Sequence, residues 1–321
     1  MKLGILGTGK IVQTLMAGYR RLPVEKTYIL ATERSVERAE KYGFDGVFTD
    51  YDALLNADID TVYVALPNDL HYEYTKKALE NGKHVILEKP ATSNLRELEE
   101  LYALAEAKGC MLTEAVTTHH LPIFALLKRT LPRLGQVKLA NLQFCQYSSR
   151  YADFLAGNVH PVFDPAKSGG ALYDLNVYNL HAALALFGRP ESWRYAANVS
   201  RGIDTSGVLT LSYADKKVVC VAAKDCGGPD VSTILGEKGY IRIDEPLSRL
   251  TGFALAENGE QKQHFRADDD DRMYTEFSSI LSLMEKQDTQ RLRELKELSL
   301  MAAEIMESAR KQAGIRFACD K

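Results

Sequence analysis

The chain has 321 residues, 45% hydrophobic and 26% charged, with a formal net charge of −3. That is the balance of a soluble globular protein of two ordinary domains, and it supplies no global pull toward nucleic acid or an anionic membrane. The five cysteines (Cys110, Cys145, Cys220, Cys226 and Cys319) are odd in number and form no CxxC pair, which argues against a disulfide framework and a zinc site and for reduced thiols in the cytoplasm.

Met1-Lys2 leads at once into a strand pattern, so no leader is expected. No apolar run approaches the roughly 18 residues that span a bilayer. From Lys2 to about Val116 strand and helix patterns alternate. Leu3–Leu6 is a strand, and Ile11, Leu15, Met16 and Tyr19 recur at helical spacing. Tyr28–Ala31 is the second strand, and Val36–Tyr42 a short charged helix. Thr61–Leu66 is a continuous apolar strand, Tyr72–Asn81 a helix stopped by Gly82, and His84–Leu87 a strand. Leu95–Lys108 is a helix ended by Gly109, and Met111–Thr113 restarts the sheet. Such alternation predicts right-handed crossovers and a parallel sheet covered on both faces, an α/β Rossmann domain.

Pro122 marks the expected boundary, giving a dinucleotide-binding domain over 1–121 and a second domain over 122–321. In the second, Val137–Tyr147 is a long strand, a polar loop runs to Ser168, and Ala171–Phe187 is a helix closed by Gly188. From Trp193 to about Phe265 short strands follow one another with turns between them, which predicts a mostly antiparallel sheet in an α+β domain. Two helices, Met273–Lys286 and Arg291–Gln312, close the chain. The acidic run Asp268–Asp271 reads as a solvated lead-in to the first of them.

The motif Gly7-Thr8-Gly9-Lys10-Ile11-Val12 lies directly after a strand and opens a helix. Gly7 suits a tight turn, Gly9 lets the backbone approach a pyrophosphate, and the helix N-terminus adds N–H groups and a positive dipole end. Val12 occupies the third glycine position, which governs helix–strand packing. Glu33 and Arg34 end the second strand, where an adenosine ribose belongs. Glu33 favours NAD by accepting from the ribose hydroxyls, and Arg34 permits NADP by pairing with a 2′-phosphate. Leu66-Pro67-Asn68 and His71 follow the next strand at the ligand-binding edge. Asn68 either caps the following helix or touches the cofactor.

Glu88-Lys89-Pro90 ends a strand at the same edge, and a lysine there favours the ionised form of a nearby tyrosine. In Ser168-Gly169-Gly170-Ala171-Leu172-Tyr173-Asp174, the glycines permit close approach before a helix. On that helix Asp174, Tyr178 and His181 fall at i, i+4 and i+7 and share one face. Three polar groups on a helix rich in Leu and Ala need partners, which either a hydroxylated substrate or a buried structural polar network supplies.

These motifs, in this order and over nearly the whole chain, resemble the Gfo/Idh/MocA oxidoreductase family. The resemblance implies an N-terminal Rossmann domain and a C-terminal domain whose open-faced sheet mediates association into a homodimer or larger homo-oligomer. It also implies NAD(P)-dependent oxidation or reduction of a sugar, polyol or dihydrodiol. Lys89 matches the family's catalytic-site lysine and Asp174 its substrate-binding aspartate. Tyr178 stands where many members carry histidine, which is similar to the branch with glucose–fructose oxidoreductase and the dimeric dihydrodiol and xylose dehydrogenases. The chain departs from the family pattern at Asn176, His181 and Thr117-Thr118-His119-His120.

The expected chemistry has Tyr178 exchange a proton with the substrate, Lys89 tune it, and Asp174 and His181 bind the substrate. Lys89, Glu88, Asn68 and the glycine loop hold the cofactor. No metal, nucleic acid or membrane is expected. A dinucleotide-binding sensor without turnover is the alternative on the same fold.

Overall fold

The computed structural model of the protein describes residues 1–269 and 271–320. In chain order the first elements are β1 (Lys2–Leu6), α1 (Lys10–Leu15), β2 (Lys26–Leu30), α2 (Val36–Glu40), β3 (Gly46–Phe48), α3 (Tyr51–Leu55), β4 (Thr61–Val64), α4 (His71–Glu80), β5 (His84–Glu88), α5 (Leu95–Ala107) and β6 (Leu112–Ala115). Then come α6 (Pro122–Thr130), β7 (Val137–Cys145), α7 (Tyr151–Leu155), α8 (Val177–Phe187), β8 (Ser192–Ser200), β9 (Ile203–Ser212), β10 (Lys217–Ala223) and β11 (Ser232–Gly236). The last are β12 (Gly239–Ile243), β13 (Gly252–Glu257), β14 (Gln263–Arg266), α9 (Arg272–Glu285) and α10 (Thr289–Gln312).

The chain divides into two compact units. The first is Met1–Ala115 with Asp271–Leu300, and the second is Val116–Asp270 with Met301–Lys321. The sequence places the break at 121/122 and gives the whole tail to the second part. The reason for the difference lies on α9, whose Met273, Phe277, Ile280, Leu281 and Met284 form an apolar stripe at helical spacing. That stripe is buried in the same core as Leu3, Ile5, Ile29 and Tyr63. Phe277 sets its ring edge-on to Tyr63, 4.7 Å between centroids. Asp271 caps α9 by accepting from the Tyr274 N–H at 3.0 Å. Asp270, within the same acidic run, lies outside the described residues.

The first unit's sheet is parallel throughout, in the order β3-β2-β1-β4-β5-β6. This is the doubly wound dinucleotide-binding order, whose strands reverse direction of travel across the sheet beside β1 and β4. β4 is buried on both faces, as its unbroken apolar sequence requires. β3 and α3 escape a reading by periodicity because they are three and five residues long. Asp50 nonetheless starts α3 with a side-chain cap on the Ala53 N–H, 2.7 Å.

The second unit's sheet runs β14-β13-β12-β11-β7-β10-β9-β8, antiparallel except for the β7–β10 pair. Val218, Cys220 and Ala222 of β10 and Leu142 and Phe144 of β7 point into the core. On the other face Leu139, Leu235 and Tyr240 are exposed on adjoining strands. The expected helix over 171–187 is a π-helical turn, Leu172–Asn176, that runs into α8. Among the described residues no helix is long and apolar enough to cross a membrane.

Candidate active site

In the first unit the glycine loop follows β1. Gly7 has φ of +100°, and a Cβ there would stand 2.6 Å from the Ala65 carbonyl oxygen, so only glycine makes this turn. Gly9 is the N-cap of α1 and carries no side-chain cap. A Cβ on Gly9 would meet no heavy atom within 4 Å, so the space above it is open. Open space over uncapped helix N–H groups fits a dinucleotide pyrophosphate. Val12 is fully buried in the core, which explains why the third glycine position accepts a valine. Thr8 is buried, Ile11 half-buried and Lys10 exposed.

Glu33 and Arg34 are exposed in a helical turn just after β2. Arg38, on α2, reaches back to the loop, with its guanidinium 3.4 Å from the Thr8 carbonyl oxygen. The position of Arg38 four residues after Arg34 is its signal in the sequence. Leu66 and Asn68 are half-buried and Pro67 exposed beyond β4.

His71 departs from the sequence expectation. It is wholly buried, with Nδ1 2.9 Å from the Pro90 carbonyl oxygen and Nε2 2.9 Å from that of Leu66. A side chain with no accessible surface presents nothing to a cofactor. Its ring instead joins the loop after β4 to the turn after Lys89. Burial pushes its pKa down, while the carbonyl acceptors pull the other way.

Lys89 is half-buried at the end of β5, and the Lys89–Pro90 peptide is cis. Buried partners hold the segment from behind. Glu88 is turned inward, where Tyr63 donates its hydroxyl to Oε1 at 2.5 Å and the Lys89 N–H donates to Oε2 at 3.2 Å. Burial raises the Glu88 pKa. Glu114, on β6, accepts from the Ala91 N–H at 2.9 Å, and burial pushes its pKa up to about 7. An acid inside an otherwise apolar strand was the signal for Glu114 in the sequence.

In the second unit the glycines before α8 accommodate protein. A Cβ on Gly169 would stand 2.6 Å from the Pro161 carbonyl oxygen, and one on Gly170 2.1 Å from Asp204 Oδ1. Asp204 in turn accepts from the Leu172 N–H at 2.6 Å and the Tyr195 hydroxyl at 2.7 Å, which fixes the start of the π-turn. Asn176, where the family pattern has glycine, is buried and donates to the Cys220 carbonyl of β10 at 3.0 Å.

The π-turn carries Asp174, and α8 carries Tyr178 and His181. The three polar groups have different neighbours. Asp174 is 31% exposed and accepts from the Lys224 ammonium at 2.6 Å. Tyr178 is 8% exposed and packs near Phe144, 6.3 Å between ring centroids. His181 has no exposed surface, and its Nδ1 lies 3.0 Å from Nε2 of His119. Burial pushes the His181 pKa down to about 3, so it is neutral at physiological pH. His181 is therefore a partner of half-buried His119 and not itself a surface for substrate.

Two family models match the chain. "Oxidoreductase family, NAD-binding Rossmann fold" covers residues 1–116, and "GFO/IDH/MocA C-terminal domain" covers residues 132–242. Among curated relatives, scyllo-inositol 2-dehydrogenase (NADP(+)) IolU of Bacillus subtilis is 34% identical, with 100% of this chain and 99% of that protein aligned. Trans-1,2-dihydrobenzene-1,2-diol dehydrogenase of Danio rerio is 27% identical over 100% and 99% of the two chains. Among solved structures, KijD10, a 3-ketoreductase from Actinomadura kijaniata in complex with NADP and TDP-benzene, superposes with a TM-score of 0.83 at 22% identity, covering 99% of this chain and 98% of that one. The chain belongs to the GFO/IDH/MocA family and is an NAD(P)-binding oxidoreductase.

Proposed function

We propose that this enzyme is an NADP-dependent dehydrogenase that oxidises a secondary hydroxyl of a polyol or cyclitol, or reduces the corresponding ketone. The observation that carries this reading is the partly exposed Asp174 carboxylate just before Tyr178, in a chain 34% identical over its whole length to an NADP-dependent inositol dehydrogenase. A carboxylate is the natural acceptor for the hydroxyl donors of such substrates. A dihydrodiol is the second reading, supported by the full-length likeness to dihydrodiol dehydrogenase.

A bound nicotinamide supplies the hydride acceptor or donor. Gly7, Thr8, Gly9, Lys10 and Ile11 cradle its pyrophosphate, and Leu66, Pro67 and Asn68 line the adjoining strand end. Glu88 supports the site from behind through Lys89. In the oxidative direction Tyr178 takes the hydroxyl proton as the carbon gives up hydride, and returns it in the reverse. Free tyrosine titrates near ~10 and needs a cation to act at neutral pH. Lys89 is that cation, favouring the phenolate and drawing charge onto the substrate oxygen. Asp174 orients the substrate.

NADP is favoured over NAD because Arg34 and Arg38 border the loop against the single charge of Glu33. Association through the second unit's open sheet face belongs to the same reading, supported by exposed Leu139, Leu235 and Tyr240 on adjoining strands. The free thiols favour a cytoplasmic setting.

The test is a panel of scyllo-inositol, myo-inositol, D-glucose, D-xylose and trans-1,2-dihydrobenzene-1,2-diol, each with NADP+ and NAD+. Fastest turnover of a cyclitol or sugar with NADP+ is expected. Turnover of the dihydrodiol alone selects the second reading, and cofactor binding without any turnover rejects both.

A further inference from the structure

We propose that Lys224 is a positioning residue for the substrate: its buried ammonium fixes the orientation in which the Asp174 carboxylate meets a substrate hydroxyl. The inference rests on the reading that Asp174 binds substrate.

Lys224 follows the apolar strand β10 and is only 2% exposed. Its main chain is held on both sides, the N–H donating to the Thr205 carbonyl at 2.8 Å and the carbonyl accepting from the Ser148 N–H at 2.9 Å. The side chain runs inward to the Val162 carbonyl at 2.8 Å and to Asp174 Oδ2 at 2.6 Å. The ammonium also sits over the Phe163 ring, 4.7 Å from its centroid.

A buried lysine is an expensive way to fill space, and an apolar side chain of similar size usually stabilises a fold as well or better. The pair is also lopsided. The cation is enclosed, whereas the carboxylate is 31% exposed, so the pair presents its anionic end outward. The other carboxylate near this ammonium, Asp204, is committed to the Leu172 N–H and the Tyr195 hydroxyl.

Asp174 belongs to the π-turn, an irregularity of a kind frequent at functional sites. A rigid charged partner limits the directions open to its carboxylate. Asp174 then meets the substrate already oriented by Lys224, which lowers the ordering cost of binding.

The test uses Lys224→Met, which keeps the stem and removes the charge, together with Asp174→Asn and the double variant. All are assayed with NADP+ and the best substrate of the panel above. Lys224→Met is expected to raise KM about tenfold or more, to change kcat far less, and to leave the Kd for NADP+ within about twofold. The double variant is expected to be no worse than Asp174→Asn alone, because Lys224 acts through Asp174.

If Asp174→Asn raises KM and Lys224→Met does not, Lys224 has no positioning role and the Asp174 reading stands. If Asp174→Asn leaves KM unchanged, the Asp174 reading fails and takes this inference with it. Independent, additive losses also contradict the inference. Should Lys224→Met fail to fold, Lys224→Gln carries the same comparison, and failure of both to fold shows the pair to be purely structural and overturns it.

Discussion

Glu114 accepts the main-chain N–H of Ala91 at 2.9 Å, two residues beyond Lys89. The turn that carries the lysine is thus pinned by a carboxyl whose pKa burial pushes up to about 7.

That pKa makes stability depend on pH with a definite sign. Unfolded, Glu114 titrates near 4.5; folded, near 7. Between these values the folded state holds the extra proton, so stability falls as pH rises from about 4.5 through about 7. Glu114→Gln keeps an acceptor for Ala91 without the titration. The thermal midpoint of the wild type is expected to fall more steeply from pH 5 to 8 than that of Glu114→Gln. Parallel curves would show that Glu114 does not titrate there.

His181 has the opposite slope. Its folded pKa is about 3 against about 6.5 unfolded. The unfolded chain gains the proton first, so stability is lost as pH falls below about 6.5. Asparagine places a polar atom near the position of Nδ1, where His119 is 3.0 Å away. His181→Asn is expected to flatten the decline in thermal midpoint between pH 6.5 and 5. The same variant is expected to alter KM only through His119, since His181 itself has no exposed surface.

Cofactor choice is tested at the loop. Removing a charge-assisted bond to a 2′-phosphate costs about 1.5–3 kcal/mol, or about 10- to 100-fold in affinity. Arg34→Ala and Arg38→Ala are each expected to weaken NADP+ by about that factor while changing NAD+ less than about twofold. Equal weakening of both dinucleotides would assign Arg38 to holding the loop at Thr8 instead of reading the phosphate.

Much of this architecture was legible in the chain. Strands such as Thr61–Val64 are unbroken apolar runs, and the glycine loop announces itself by its place between strand and helix. What escaped had a physical reason. β3 and α3 are too short for periodicity to show. The return of α9 to the first core is a long-range contact, visible in sequence only as an amphipathic stripe without a stated partner. At the candidate site, residue type gives no side-chain direction. His71 and His181 look like ligand contacts in the sequence, and both are turned fully inward. Lys224 looks like an ordinary charge in the sequence, and both it and Glu114 are buried behind residues of the candidate site. The π-turn at Leu172–Asn176 has no sequence signature that separates it from an α-helix.

The central claim is that Tyr178 carries the proton. The direct measurement is turnover of Tyr178→Phe with the best substrate of the panel, alongside its Kd for NADP+. Loss of a general acid–base group predicts a fall in kcat of about 10²- to 10⁴-fold, with cofactor affinity within about twofold of wild type. A Tyr178→Phe enzyme that binds NADP+ normally and keeps full turnover would contradict the account.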